Sequence, residues 1–185
     1  VDKKDFDAVV VGSGPNGLAA GITLLQQGLS VLLLEARAET GGGMRSAELT
    51  LPGFLHDVCS AIHPMAANSP FFSTLPLEKH GLEYIYPEVA AAHPFDDGSA
   101  AALTKSIEET ARSLGKDEKA YLNIIKPLVQ AWPSLAPDVL GPLSFPKKPL
   151  ALARFGLHAL APATLLSRRF STKEGKGLWG GMAAH

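Results

Sequence analysis

The sequence has one cysteine, Cys59, among its 185 residues. A single thiol excludes an internal disulfide framework and a metal site built from cysteines alone, and it favours a reducing compartment. The chain also lacks the ~20 consecutive apolar residues that a membrane-spanning helix needs, and its opening residues do not resemble a secretory signal. These absences predict a cytoplasmic protein without a transmembrane segment.

The sequence has no excess of positive charge, with 17 Lys plus Arg against 18 Asp plus Glu. Nucleic-acid binding depends on cations that neutralise phosphates, so this function is disfavoured. Metal-ligand spacing and a nucleophile elbow of the serine hydrolases are both missing. We therefore expect no metal site and no hydrolase chemistry.

What the sequence does contain is a glycine-rich turn between two apolar segments. Residues 6–11 form a short, valine-rich run that predicts a strand buried on both faces of a parallel sheet. Residues 17–27 have helical periodicity and are followed by Gly28, which predicts a left-handed helix stop. Residues 30–34 are a second buried strand. This order predicts an α/β fold with one right-handed βαβ unit.

The turn itself has the spacing G-x-G-x-x-G, with glycines at positions 12, 14 and 17. Gly12 permits the tight turn, Gly14 lets the backbone approach a diphosphate, and Gly17 lets the helix lie close to the strand. Glycines with this spacing also occur in ordinary turns. Here, however, the second strand ends in Glu35, whose carboxylate can bind an adenosine ribose and repel the 2′-phosphate of an NADP-type ligand. The combination predicts a dinucleotide site.

A second glycine cluster, Gly41, Gly42 and Gly43, follows this strand. Three glycines in a row indicate a backbone that approaches another group closely, such as the same diphosphate from its other side. The alternative is a mobile surface loop. Arg37 and Arg45 either neutralise phosphate or stack on adenine, or they are solvated surface charges.

Residues 7–46, DAVVVGSGPNGLAAGITLLQQGLSVLLLEARAETGGGMRS, resemble the N-terminal fingerprint and second glycine motif of the FAD-dependent phytoene desaturase-like oxidoreductases, which are distant relatives of the amine oxidases. Members of that family carry Arg directly after the glycine pair, whereas this chain has Gly43 there and Arg45 two places on. The resemblance implies a Rossmann-like FAD-binding domain.

Residues 50–64, TLPGFLHDVCSAIHP, resemble the segment that leads towards the flavin ring in this family. The cofactor contacts predicted from the motifs and the resemblance are Gly12, Ser13, Gly14, Pro15, Asn16, Gly17, Glu35, Ala36, Arg37, Gly41, Gly42, Gly43, Met44, Arg45, Ser60, Ala61 and Ile62. The resemblance also implies a small-molecule substrate that is apolar or amphipathic, with the flavin taking a hydride from one of its carbons. It identifies no catalytic residue.

We expect two domains, an FAD-binding domain over residues 1–75 and part of a mixed α+β substrate or cap domain over residues 76–185. In the second, the sequence predicts a hairpin that turns at Asp97-Gly98 and a helix that opens with the capping box of Ser106 and Glu109. A second helix begins about Asp117.

Five prolines in residues 133–149 favour an extended connector. Residues 150–166 are mostly apolar and predict a helix packed in the cap domain, with contact to a membrane surface or an apolar substrate as alternatives.

Family chains continue well past this length, so the resemblance implies an N-terminal fragment that is inactive alone.

Three titratable residues, His56, Asp57 and His63, lie near the implied flavin path. An acid–base role for them competes with a structural role, and we favour the structural role. Cys59 is predicted to be a buried, inert thiol. Two rival functions remain open: an NAD-dependent dehydrogenase, and a non-catalytic nucleotide-binding or interaction protein derived from a desaturase.

Overall fold

A computed structural model describes residues 5–184 of the chain. Its contacts divide the chain into two compact units, with the division between Leu75 and Pro76. We call them unit 1 and unit 2. The first four residues and the last residue of the two predicted domains lie outside the described residues.

Unit 1 begins with the predicted βαβ arrangement. Strand β1 (Ala8–Val11) leads through the glycine turn into helix α1 (Pro15–Gln26), and strand β2 (Val31–Leu34) returns parallel to β1, paired along all four residues. Gly28 follows the helix at φ +81°, and its N–H donates to the carbonyl of Leu25 at 2.9 Å. The α/β fold with a parallel sheet is therefore confirmed.

One face of β1 is open, contrary to the prediction that this strand is buried on both faces. Val9 is 56% exposed and Val11 is 82% exposed. Side chains alternate between the two faces of a strand, and α1 packs against this two-stranded sheet. An apolar sequence is thus not sufficient for burial of a strand on both faces.

The rest of unit 1 consists of short elements, as its mixed sequence predicts. A 3₁₀ turn at Gly42–Met44 precedes an antiparallel hairpin of β3 (Ser46–Glu48) and β4 (Leu55–Asp57). Helix α2 (Pro64–Ala67) and a 3₁₀ turn at Phe72–Thr74 complete the unit.

Unit 2 is an antiparallel hairpin packed against helices. Its elements are β5 (Val89–Pro94), β6 (Ala100–Thr104), α3 (Ile107–Ser113), α4 (Glu118–Leu140), α5 (Pro149–Ala159), α6 (Ala163–Ser167) and α7 (Lys173–Ala183), with 3₁₀ turns at Leu77–His80 and Gly115–Asp117. The predicted hairpin is confirmed, because Gly98 adopts φ +80° and the Phe95 N–H donates to the carbonyl of Ser99 at 2.9 Å.

The core of unit 2 joins the hairpin to α3, α4 and α7. Its buried members are Ala101, Ala111, Leu114, Tyr121, Ile124, Phe170 and Leu178. The predicted cap of α3 is confirmed as well, since the Ser106 hydroxyl accepts a hydrogen bond from the Glu109 N–H at 3.1 Å. Satisfying that amide fixes where the helix begins.

Helix α4 continues through Pro127, Pro133 and Pro137. The predicted extended connector is therefore wrong over residues 133–140. Each proline removes one backbone hydrogen bond from a helix interior. The same turns bury Leu135 and Ala136, which are 0% and 8% exposed, so tertiary packing outweighs the lost hydrogen bonds.

Candidate functional site

The glycine turn of unit 1 folds back tightly on itself. Gly12 has φ +95°, a conformation that favours glycine, and its N–H donates to the carbonyl of Leu34 at 2.7 Å. A Cβ atom on Gly17 would lie 1.9 Å from the carbonyl oxygen of Gly12. The close packing predicted for Gly17 is therefore present, and no larger residue fits there.

Backbone N–H groups without a hydrogen-bond acceptor lie at the start of α1, directly after the turn. Gly14 is the N-cap residue in an extended conformation, Pro15 is the first helical residue, and no side chain caps the helix. Within residues 5–184, the N–H groups of Gly14, Asn16 and Gly17 have no protein acceptor. Such amides at the positive end of a helix dipole form a ready binding site for an anion. A diphosphate fits this donor set.

Glu35 faces the turn, as the ribose-binding prediction requires. Its Oε2 atom accepts hydrogen bonds from the Ser13 N–H at 2.8 Å and the Ser13 hydroxyl at 2.5 Å, and its Oε1 atom accepts from the Arg37 N–H at 3.0 Å. These donors, the Ser13 hydroxyl first, lower the pKa of Glu35 to about 2. The carboxylate is therefore ionised near neutral pH and can accept hydrogen bonds from sugar hydroxyls through its remaining lone pairs.

We expect the amide of Ser13 to report the protonation of Glu35. Because the folded pKa is lowered from 4.5 to about 2, the stabilisation by this carboxylate is complete above about pH 4.5 and is lost as the pH falls through about 2. In two-dimensional NMR spectra the Ser13 N–H resonance should titrate near pH 2, and Glu35→Gln should abolish the transition. A midpoint near 4.5 would show that Glu35 does not hold the turn.

The second glycine cluster packs directly on the first turn. Gly41 and Gly42 have φ +109° and +57°, and the Gly41 N–H donates to the carbonyl of Ser13 at 3.0 Å. A Cβ atom on Gly42 would lie 2.8 Å from the Cα of Gly14. The backbone that this cluster approaches is thus the glycine turn itself, and Gly42 lies beside the start of α1.

The remaining predicted contacts surround these loops. The Arg45 Nε donates to the carbonyl of Gly42 at 2.7 Å, so this side chain stabilises its own loop. The Ser60 N–H donates to the carbonyl of Gly43 at 3.0 Å, which places Ser60 beside the cluster. The other predicted contact residues in this region have exposed side chains, namely Ala36, Arg37, Met44, Ala61 and Ile62.

The three titratable residues near the implied flavin path do not form a common site. The Nε2 of His56 pairs with the Thr50 hydroxyl at 2.7 Å, and Asp57 accepts a hydrogen bond from the Ser46 hydroxyl at 3.1 Å. His63 precedes α2 and contributes its carbonyl to the Ala67 N–H. The structural interpretation of His56 is supported, and no group of three His, Cys, Asp or Glu within the described range could hold a metal ion.

Cys59 is exposed, so the prediction of a buried thiol is wrong. Its Sγ would lie 4.0 Å from a Cβ atom built on Gly43. A glycine neighbour has no side chain with which to cover the sulfur. The bond between the Ser13 hydroxyl and Glu35 is a contact that the sequence did not reveal, and its only trace in the sequence is a serine between the first two glycines.

Residues 10–75 match the family described as NAD(P)-binding Rossmann-like domain. Unit 1 is a Rossmann-like nucleotide-binding domain. A cofactor-binding redesign of putrescine oxidase, a double mutant of known structure, has the same fold, with a TM-score of 0.51 and 22% identity over 92% of this chain and 35% of that chain.

Several curated proteins are similar in sequence. A limonene dehydrogenase subunit of Castellaniella defragrans is 31% identical over 144 residues, which cover 78% of this chain and 26% of that protein. Digeranylgeranylglycerophospholipid reductase of Methanocella arvoryzae is 50% identical over 46 residues, or 25% of this chain and 12% of that protein. The chain thus spans about a quarter or less of the length of these relatives.

Proposed function

We propose that unit 1 binds the ADP portion of FAD in an oxidoreductase of the phytoene desaturase-like type. The observation that carries this proposal is the convergence of two groups on one turn: unpaired amides at the start of α1, and the ionised Glu35 carboxylate hydrogen-bonded to Ser13. The amides of Gly14, Asn16 and Gly17 would bind the diphosphate, and Glu35 would bind the ribose. When bound, FAD would supply the hydride-accepting chemistry.

The second glycine cluster would shield the diphosphate from water. Gly42 packs on Gly14 at a distance that leaves no room for a side chain. A loop so placed excludes solvent from the anion and strengthens its hydrogen bonds to the amides. Arg45, whose Nε is held by the carbonyl of Gly42, keeps a positive charge beside the same loop.

A second candidate function is an NAD-dependent dehydrogenase, because the matching family is described by NAD(P). An NAD domain of this type continues with further parallel strands and helices. Among residues 5–184, β2 is followed instead by the antiparallel β3–β4 hairpin, and the parallel sheet has two strands. The Glu35 carboxylate disfavours a 2′-phosphate. We therefore favour FAD.

The substrate class in this proposal is apolar or amphipathic. Two relatives are named for limonene and for a digeranylgeranyl lipid, and both names denote isoprenoid compounds. An oxidation or desaturation of such a compound would remove a hydride from carbon.

The direct test is to add FAD or NAD to the purified protein, remove excess ligand, record the visible absorption and identify the released cofactor by mass. We expect a yellow protein that releases FAD. Release of NAD alone would support the dehydrogenase, and a colourless protein that retains neither nucleotide would contradict both. Flavin binding without turnover in the full-length enzyme would indicate a non-catalytic protein.

Gly14→Val is expected to abolish cofactor retention. A Cβ atom at this position would lie 3.8 Å from the Cα of Gly42, an ordinary contact, so the first methyl group added is compatible with the fold. The valine methyl groups would nevertheless occupy the space through which a diphosphate approaches the amides. Loss of two charge-assisted hydrogen bonds weakens binding by about a hundredfold or more.

The matched control for this variant is Ala20→Val, an exposed position on the same helix. It adds similar bulk away from the turn and should retain the cofactor. Circular dichroism shows whether each variant is folded. Wild-type flavin occupancy in folded Gly14→Val would contradict the proposed diphosphate site.

A further inference from the structure

A long stretch of unit 2 carries positive charge without acidic residues. Between Asp138 and Glu174 the sequence contains six Lys or Arg and no Asp or Glu. Lys173 pairs with Asp97. The other five form no ion pair with a carboxylate in residues 5–184, and these are Lys147, Lys148, Arg154, Arg168 and Arg169. The Asp138 carboxylate accepts a hydrogen bond from the Lys147 N–H at 3.1 Å.

The same stretch exposes several large apolar side chains. Five of them are more than three quarters exposed: Leu143, Phe145, Leu150, Leu157 and Leu160. Single exposed leucines are common on protein surfaces, whereas several in one segment mark an interaction site.

In helix α5 the exposed apolar side chains lie on one face of the helix. Its inner face packs towards α4, where the rings of Phe155 and Trp132 lie 6.2 Å apart. Its outer face carries Leu150, Ala153 and Leu157 at helical spacing, with Arg154 beside them. A surface helix normally turns a polar face to water. Here the face turned to water is apolar, which is the pattern of a helix that lies in a membrane interface.

We propose that residues 141–169, the basic apolar segment, bind the surface of an anionic lipid bilayer. The exposed leucines and Phe145 would enter the boundary between headgroups and acyl chains, and the five unpaired cations would bind lipid phosphates. Charge complementarity favours this occupant over a second copy of the chain, because two copies would bring like charges together.

The segment would lie on the bilayer rather than cross it. The 11 residues of α5 are about 16 Å long, roughly half the thickness of the hydrocarbon core. In the described part of the chain, no helix is both long and apolar enough to span a membrane. Binding would hold unit 2 at the surface where apolar molecules dissolve. The inference is independent of the function proposed for unit 1.

The test is co-sedimentation of the purified protein with vesicles of phosphatidylcholine, with and without phosphatidylserine. We expect binding to the anionic vesicles and its release by high salt. Lys147→Gln, Lys148→Gln and Arg154→Gln together should weaken binding about a hundredfold, from about fivefold for each charge. Leu150→Ser, Leu157→Ser and Leu160→Ser together should weaken it at least tenfold. All three leucines are exposed, so this variant should fold.

Two matched variants serve as controls. Lys116→Gln, Lys119→Gln and Lys176→Gln remove the same charge from exposed positions elsewhere in unit 2. Leu49→Ser, Leu51→Ser and Ile85→Ser remove exposed apolar side chains elsewhere in the chain. Both should bind like the wild type. Equal binding to neutral and anionic vesicles, equal losses in control and segment variants, or a lipid-free dimer that the leucine variant dissociates would overturn the proposal.

Discussion

Gly17→Ala is expected to destabilise unit 1 by about 4 kcal/mol or more. The added Cβ atom would lie 1.9 Å from the carbonyl oxygen of Gly12. That oxygen is a backbone atom, and the Cβ is bonded directly to the backbone of Gly17, so neither atom can rotate out of the way. Relief of the clash requires α1 to move away from β1, which breaks the turn that presents the amides. The substitution therefore removes the fold of the site together with any cofactor binding.

The measurement is hydrogen–deuterium exchange of the β1 and β2 amides, because both tryptophans of the chain, Trp132 and Trp179, lie in unit 2 and do not report on unit 1 directly. Gly21→Ala is the matched control. It stands four residues further along the same helix, where an added Cβ atom has nothing within 4 Å. Alanine favours a helix over glycine by up to ~1 kcal/mol, so the control should be neutral or stabilising. Equal exchange in the two variants would contradict the close packing.

Asp117→Asn is expected to destabilise unit 2 by about 3 kcal/mol. Asp117 is 3% exposed and accepts five hydrogen bonds of 2.6–3.0 Å from the backbone N–H groups and hydroxyls of Ser171 and Thr172. It thereby ties the turn before α4 to the start of α7. The NH2 group that replaces one carboxylate oxygen in asparagine donates and cannot accept, so it would leave two or three of these buried donors without an acceptor.

The pH dependence of unit 2 follows from the same contacts. Burial would raise the pKa of Asp117, but the hydrogen bonds from Thr172 and Ser171 outweigh it and lower the pKa to about 2. A lowered folded pKa means that the stabilisation is complete above the ordinary value of 3.8 and is lost as the pH falls through about 2.

Urea unfolding followed by tryptophan fluorescence measures both effects, since Trp179 lies on α7. Asp117→Asn should remove this part of the pH dependence. Asp96→Asn, an exposed aspartate of the same unit, is the control and should change stability by less than about 0.5 kcal/mol. Wild-type stability of Asp117→Asn at neutral pH would show that the network is dispensable.

The βαβ fold and the position of Glu35 could be predicted from sequence because both depend on local order and spacing. A glycine with φ +95° at Gly12, a helix stop at Gly28 and a carboxylate at the end of β2 are each encoded by one residue at one position. The hairpin at Asp97-Gly98 and the cap at Ser106 were predictable for the same reason.

The predictions that were wrong concerned burial and one connector. Val11 is exposed although its strand is apolar, and Cys59 is exposed although a buried thiol was predicted. Helix α4 persists through three prolines, and its last turns bury Leu135 and Ala136. Local propensity contains no information on which face of a segment will be covered, and long-range packing decides it.

The sequence by itself determined a nucleotide-binding turn, since a side-chain-free backbone and a carboxylate one strand away are properties of residue type and spacing. Only the tertiary structure decided that the second glycine cluster packs on the first, that Ser13 holds Glu35, and that Asp117 binds Ser171, 54 residues further along the chain. These contacts join residues that are far apart along the chain. Their distances are set by how the elements pack, which no local pattern specifies.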